Sequence, residues 1–496
     1  MLRRRLMFAA GPGPLPWARG MAALLLGVLM PYAFSPYDYV WLAWLAMAGW
    51  IGLFRQGYAL FIGFAFGFGW FGFGAWWLAD TLHLYGHLHY LLAVFCVGLV
   101  GAVLALFPAL WAWLSMRLAG RSGWLLLVFP AIGVGIEWLR GHIFTGLPWT
   151  ALGNLLLETP AIGWAAWVGV YGLTLLPALA AASLLALLTP SLRYWGVGGL
   201  LATCLLVFVA PGPFTADGEI KRAALVQANI PQDEKWDAGF LGETMRRYAS
   251  LSDTAEADLI VWPEAAVPFF LSRAPGWEHW LQQQLQRWGV PLLFGGLKLL
   301  EDGHSGQNGL FLAGPAGSER QFVGKRHLVP FGEYVPAWIP FLHTLVPEIA
   351  DWRPAENGGV LNWHEQKFGA LICYESIFPE ETRQRVRQGA QVLVNVTNDA
   401  WYGKSPAAWQ HLQAMRMRAV ESGRYVLRAA NTGVSAIIAP DGAVIATAPW
   451  WTQAVISGTY RTSTRITPYQ QWGDTPLLAC ILLVLLPARV RWRREA

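Results

Sequence analysis

Three ionisable residues, Glu264, Lys325 and Cys373, each stand near the end of an apolar run: Glu264 ends "DLIVWPE", Lys325 ends "RQFVGK" and Cys373 ends "KFGALIC". A free thiol with a pKa of about 8.5 is mostly protonated at neutral pH, and the thiolate is the nucleophile. A carboxylate can accept the thiol proton, and a nearby ammonium can favour the thiolate. The same ammonium can meet the oxyanion of a tetrahedral intermediate. Each residue alone has a plain explanation: a helix-start glutamate before "AAVP", a solvated lysine, a buried inert cysteine. Together they make a chemically complete set for acyl transfer through a thioester. That set needs no histidine, metal or cofactor, and His364, the histidine near Cys373 in sequence, is left unassigned.

The elements that must position these residues alternate apolar β-rich runs with helical stretches. Strands are expected at 221–230, 258–264, 291–300, 309–314, 320–324, 367–373, 391–399, 425–430, 434–440, 443–448 and 454–459. Helices are expected over 236–256, 276–288, from about 379, and over 406–423. The runs 221–230, 258–264, 367–373 and 391–399 are continuously apolar, the pattern of strands buried on both faces, so helices should cover the sheet. Ligands of open α/β sheets gather beyond the carboxyl ends of strands, where the three residues could converge.

This polar region, 213–471, sits in a chain of a different kind. Of 496 residues 55% are hydrophobic and 29 are Trp, too apolar for an ordinary soluble protein. Residues 1–210 hold only thirteen Asp, Glu, Lys or Arg. A helix crossing a bilayer needs about 20 apolar residues, which gives seven spans at about 19–36, 37–54, 57–79, 89–116, 122–139, 160–189 and 193–211, and an eighth at about 474–489. The expected organisation is a membrane bundle over 1–212, a catalytic domain over 213–471, and a last span with a basic tail over 472–496. Arg3–Arg5, Arg19, Arg55, Arg117, Arg121, Arg193 and the tail arginines Arg489, Arg491, Arg493 and Arg494 fall on one side of this layout. The positive-inside rule therefore puts both termini in the cytoplasm and the domain outside. The pI near 9.0 is then a topology signal; no basic stripe in the domain suggests nucleic acid. "PWARGM" interrupts the first apolar run and argues against a cleaved signal peptide. Cys96, Cys204 and Cys480 lie in expected spans, so Cys373 has no disulfide partner in its domain.

The order Glu–Lys–Cys resembles the nitrilase (carbon-nitrogen hydrolase) superfamily. The wider strings "LVQANIPQDEKW", "LIVWPEAAVP", "GKRHLVPFGEYVP", "LICYES", "NVTNDAWYG" and "MRAVESGRYVLRAANTGVSAII", with the flanking spans, resemble the apolipoprotein N-acyltransferases of bacterial inner membranes. The resemblance covers nearly the whole chain. It implies an αββα sandwich beside an eight-helix membrane bundle, with Glu264 as general base, Lys325 as stabiliser of the intermediate and Cys373 as nucleophile. It also implies supporting roles for Trp236, Glu333, Tyr374 and Glu375. The implied activity is a ping-pong transfer: an acyl chain passes from a phospholipid donor to the thiol, then to the α-amine of the S-diacylglyceryl cysteine of an apolipoprotein.

The stretch "YVPAWIPFLHTLVPEIA" (334–350) is unusually apolar for a domain in water, and is expected to form an arm that dips into the outer leaflet and gates lipid entry. His83, His87 and His89 read as an interfacial polar loop rather than a metal site. Glu137 and Arg140, one turn apart, read as a self-satisfying pair near a span end, and the many Trp as an aromatic belt. Two alternatives compete: a membrane-tethered nitrilase or amidase that lets water take the acyl group, and a transporter whose outer domain only binds ligand. The spans lack paired intramembrane acids, which weighs against the transporter.

Overall fold

The structure, a computed structural model, describes residues 16–317, 320–335, 352–356 and 358–495. The expected arm at 334–350 lies almost wholly outside the described residues. The chain divides into two compact units, Met1–Pro211 with Asp474–Ala496, and Gly212–Gly473.

The first unit is helical. Small residues let its helices approach closely: a Cβ on Gly27 would meet the Phe66 carbonyl oxygen at 2.0 Å, and one on Gly69 would meet that of Leu24 at 2.2 Å. Trp50 fills the centre, stacked on Phe66 at 4.4 Å and set edge-on to Trp111 at 5.4 Å. Among the described residues, two helices, Tyr90–Ala119 and Pro190–Phe208, are long and apolar enough to cross a membrane. Two bent pairs bring that number to four if each is one span: Ala59–Gly74 with Trp77–Leu84, bent by 50°, and Pro160–Leu173 with Leu175–Leu188, bent by 65°. The runs expected at 57–79 and 160–189 are thus broken, the second at Thr174, and the helix Ala165–Leu173 ahead of that bend is itself interrupted at Gly169, whose φ of 66° no helix accommodates. Arg55 and Arg121 each donate to the other's backbone carbonyl, at 3.0 and 2.9 Å, and Arg19 donates to the Gln56 carbonyl at 3.0 Å. Three arginines expected on one side therefore lie at one end of the unit. Glu137 and Arg140 are buried and paired at 2.9 Å, and Arg140 also caps the carbonyls of Leu147 and Trp149.

Among its described residues the second unit carries twelve strands: β1 (Ile220–Gln227), β2 (Leu259–Phe270), β3 (Leu292–Leu299), β4 (Gly306–Ala313), β5 (Gln321–Gly324), β6 (Val360–Trp363), β7 (Gln366–Ile372), β8 (Val392–Thr397), β9 (Val426–Ala430), β10 (Ala436–Ile438), β11 (Val444–Thr447) and β12 (Ala454–Arg461). They form two six-stranded sheets, ordered β12-β1-β2-β3-β4-β5 and β11-β10-β9-β8-β7-β6. Strands β1, β2 and β3 run parallel, as do β7, β8 and β9. Alternate residues divide between layers. Leu225, Val261 and Leu293 of one sheet pack against Ile372, Val394 and Leu427 of the other. Val226, Ile260 and Phe294 face the opposite way, onto Met245, Leu281 and Leu285 of the helices Leu241–Ser252 and Pro275–Trp288. Leu371 and Leu393 likewise meet Val386, Leu412 and Met415 of the helices Pro379–Arg387 and Ala407–Ser422. The result is an αββα sandwich, and the two-sided burial explains the continuous apolar runs.

Candidate active site

β2 continues past Glu264 rather than ending there. Its pairing with β3 shifts register between Trp262 and Val267, and Ala265 takes a φ of 45°. The irregularity aims Glu264 inward at mid-strand, as bulges near active sites do. Its Oε1 accepts from Asn308 Nδ2 at 2.8 Å and its Oε2 from the Asn398 backbone N–H at 3.0 Å. Lys325 directly follows β5, and its backbone N–H donates to the Asn308 carbonyl at 2.7 Å. Its ammonium stands 3.6 Å from Glu264 Oε1 and donates to Glu333 Oε1 at 2.7 Å. Glu333 Oε2 accepts from the Val329 N–H at 2.8 Å, fixing the loop beyond Lys325.

Cys373 is the first residue after β7, on a tight strand-to-helix turn with φ 50°. A non-glycine residue held there costs of order 1–3 kcal/mol and persists only where its surroundings impose it. The imposing groups lie beneath it. Ser376 Oγ donates to the Cys373 carbonyl at 2.9 Å, and His411 Nε2 lies 3.1 Å from the same oxygen. Nδ1 of His411 lies 3.0 Å from Asp399 Oδ1, and Arg428 donates to Asp399 Oδ2 at 2.8 Å. Every side chain of this group is buried. His364 instead sits exposed in the β6–β7 hairpin, so the histidine at Cys373 comes from 38 residues downstream.

The electrostatics of the site follow from burial and mutual contact. Burial pushes the Cys373 thiol well above its ordinary value; Glu264 raises it further, while Lys325 lowers it. Burial opposes the charge on Lys325, but Glu333, Glu264 and the thiol together hold its ammonium above the ordinary lysine value. Burial raises the Glu333 carboxyl, and Lys325 pulls it back. A thiol at rest, beside a carboxylate and a firmly charged ammonium, is set to lose its proton only when an acceptor carbonyl can take the electrons.

Glu375 is fully buried and works as a staple. Its Oε1 accepts from the Arg326 and His327 backbone N–H groups at 2.7 and 3.2 Å, and from Arg385 at 3.3 Å. Its Oε2 accepts from the Ile372 N–H at 2.8 Å. One carboxylate thereby ties the residues after Lys325 to the residue before Cys373. Tyr374 is buried with its ring 5.7 Å from His327 and 4.9 Å from Phe378. Trp236 stands apart from the buried cluster and is 47% exposed.

Sequence reasoning missed Lys235, Asn308, Asn398, Asp399 and His411. Asn398 and Asp399 lie in "NVTND" and Lys235 in "DEKW", strings that carried the resemblance without a role for these side chains. Asn308 gave no signal, because an asparagine in an ordinary strand says nothing of what lies across the sheet.

Residues 222–467 match the carbon-nitrogen hydrolase family, in keeping with the sandwich, and residues 26–183 match the apolipoprotein N-acyltransferase N-terminal domain. Similarity to whole proteins runs through both units. The chain is 37% identical to an apolipoprotein N-acyltransferase of Ralstonia nicotianae, over 95% of this chain and 93% of that protein. It is 38% identical to that of Nitrosomonas europaea, over 94% of this chain and 96% of that protein. For that of Geobacter metallireducens the identity is 34%, over 96% of each. The chain belongs to the apolipoprotein N-acyltransferase family.

Proposed function

We propose that this acyltransferase carries a fatty acyl chain from a phospholipid to the α-amine of the S-diacylglyceryl cysteine of an apolipoprotein, through a thioester on Cys373. Glu264 takes the thiol proton as Sγ attacks the ester carbonyl, and Lys325 stabilises the oxyanion. The intermediate collapses as Glu264 returns the proton to the departing oxygen of the lysophospholipid. The acceptor amine then attacks the thioester, Glu264 takes its proton, and the thiol is restored. Glu333 and Glu375 hold Lys325 and its loop in place; Tyr374 packs behind the turn, and Trp236 stands where an incoming substrate can meet it. The convergence of Glu264, Lys325 and Cys373 within one buried cluster supports these roles.

Eight spans with both termini in the cytoplasm would place the sandwich on the periplasmic side of the inner membrane, where both lipid-anchored substrates are found. The grouping of Arg19, Arg55 and Arg121 supports that orientation. Two-substrate kinetics with labelled phosphatidylethanolamine and a diacylated lipopeptide test the function. Ping-pong transfer gives parallel double-reciprocal lines, and one equivalent of lysophospholipid released without acceptor. Continuous release of free fatty acid in the absence of acceptor would make the protein a hydrolase and overturn the proposal.

A further inference from the structure

Lys235 ends the short helix Gln232–Lys235 that follows β1. Gln232 Oε1 accepts from Asn398 Nδ2 at 2.7 Å, and the Asn398 N–H donates to Glu264 Oε2. The helix, the residue after β8 and Glu264 thus form one hydrogen-bonded unit. Within it, Lys235 is 3% exposed and its Nζ donates to the backbone carbonyl of Glu264 at 2.8 Å. Among the described residues no carboxylate oxygen pairs directly with this ammonium.

The charge inventory explains why a buried lysine is tolerated there. Glu264 and Glu333 bring two negative charges, Lys325 one positive, and the resting thiol none. A buried site with one uncompensated charge is costly, and Lys235 brings the sum to zero. Its neighbours include Asp233, which is exposed, and Glu234, which is half-buried, on its own helix. From β2 it faces Glu264, and from the turn after β7 it faces Cys373. Lys325 pairs with Glu264 at 3.6 Å and with Glu333 at 2.7 Å. Asp399 and Tyr402 act on Cys373, and Asp399 is already matched by Arg428 and His411. Burial pulls the Lys235 ammonium down to about 8, with Glu264 and Cys373 working to keep it charged.

We propose that Lys235 is the charge-balancing and positioning residue of this site: the second ammonium that keeps Glu264 ionised, holds the irregular segment of β2 in place, and lets Glu264 accept first the thiol proton and then the amine proton. This rests on Glu264 acting as the base. Transfer of the thiol proton to Glu264 leaves the total charge unchanged, so the balance holds through the first half-reaction. Without Lys235 the resting site carries one excess negative charge. It relieves that charge by taking up a proton on a carboxylate, and a protonated Glu264 cannot accept another.

The test is single-turnover thioester formation on Cys373 from labelled phosphatidylethanolamine, across pH, in full-length wild type, Lys235→Met and Lys235→Arg. The Met variant is expected to form thioester about 10²-fold more slowly at neutral pH, the lower range for losing general-base catalysis. Its acidic limb should move up by at least about one pH unit, since losing a nearby cation favours carboxylate protonation. The Arg variant keeps the charge and should keep the limb in place. A Met variant with wild-type rate and profile overturns the proposal. So does an equal loss in both variants with the limb unmoved, the signature of packing alone. If the Met variant melts early, Lys235→Gln, which removes the charge but keeps a hydrogen-bond donor, decides: a limb that moves up upholds the proposal, and one that stays overturns it. A wild type that forms no thioester would sink the proposed function itself, and a Glu264→Gln variant that forms it at the wild-type rate would sink the base assignment, each separately from Lys235.

Discussion

Glu375→Gln is nearly isosteric and removes only a charge, so its effect can be worked from contacts. The carboxylate accepts three backbone N–H groups and the Arg385 guanidinium, and neither side chain of that ion pair is exposed. An amide keeps one acceptor oxygen. If that oxygen stays with Arg326 and His327, its NH₂ meets the Ile372 N–H, donor against donor; if it turns, the loop after Lys325 is released. Arg385 also loses one of its two carboxylates, retaining Glu381. Breaking a buried pair costs about 3–5 kcal/mol, in line with losing one or two charged hydrogen bonds at about 1.5–3 kcal/mol each. By the scaling for domains of this size, the thermal midpoint should fall by roughly 6–20 °C. Because the staple joins the Lys325 loop to the Cys373 turn, thioester formation should also fall, by about 10²-fold or more. The assay pairs tryptophan-fluorescence melting with mass detection of the Cys373 adduct, using exposed Glu365→Gln as the control. A midpoint within about 2 °C of wild type, the range of neutral surface changes, together with normal adduct formation, would refute the staple.

Glu333→Gln should leave Lys325 to pair with Glu264 alone, lowering turnover by about 10²–10³-fold; wild-type kcat in a vesicle assay would dismiss that role. A Cβ at Gly295 would lie 2.4–2.6 Å from the Pro263 oxygen, the Glu264 Cα and the Ala265 nitrogen. Gly295→Ala should therefore shift Glu264 and abolish acylation, and a fully active variant would contradict the placement of that irregular segment. Asp399 is held down to about 2 although burial opposes its charge, because Arg428 and His411 stabilise it. A depressed carboxyl stabilises the fold above its unfolded value, so the contribution is intact above about pH 4 and is lost as pH falls toward 2. Acid titration of wild type against Asp399→Asn should converge over that window, and parallel curves would exclude the linkage.

Strand content was legible because period-two burial on both faces writes long apolar runs such as "DLIVW" and "QVLVNV" into the sequence. β6 (Val360–Trp363) was not, since a four-residue edge strand with one buried residue leaves no pattern. Cys373 and Lys325 stand where their strands stop, as their positions suggested. Glu264 lies inside β2, because its inward aim comes from a register shift and a positive φ at Ala265 that no local signal announced. The bends that break the long apolar helices were equally hidden, as hydropathy records polarity and not axis direction. Side chains that matter through one long-range hydrogen bond, Asn308 and Lys235 above all, become visible only once the sheets are assembled.

The central claim meets its most direct test in the intact mass of the Cys373 peptide after incubation with labelled phosphatidylethanolamine, followed by a chase with diacylated lipopeptide. Wild type should gain one acyl chain on Cys373 and lose it to the peptide amine during the chase, while Cys373→Ala gains none. Labelled lipopeptide made by the Cys373→Ala protein, or a wild-type adduct that the chase leaves untouched, would contradict the mechanism.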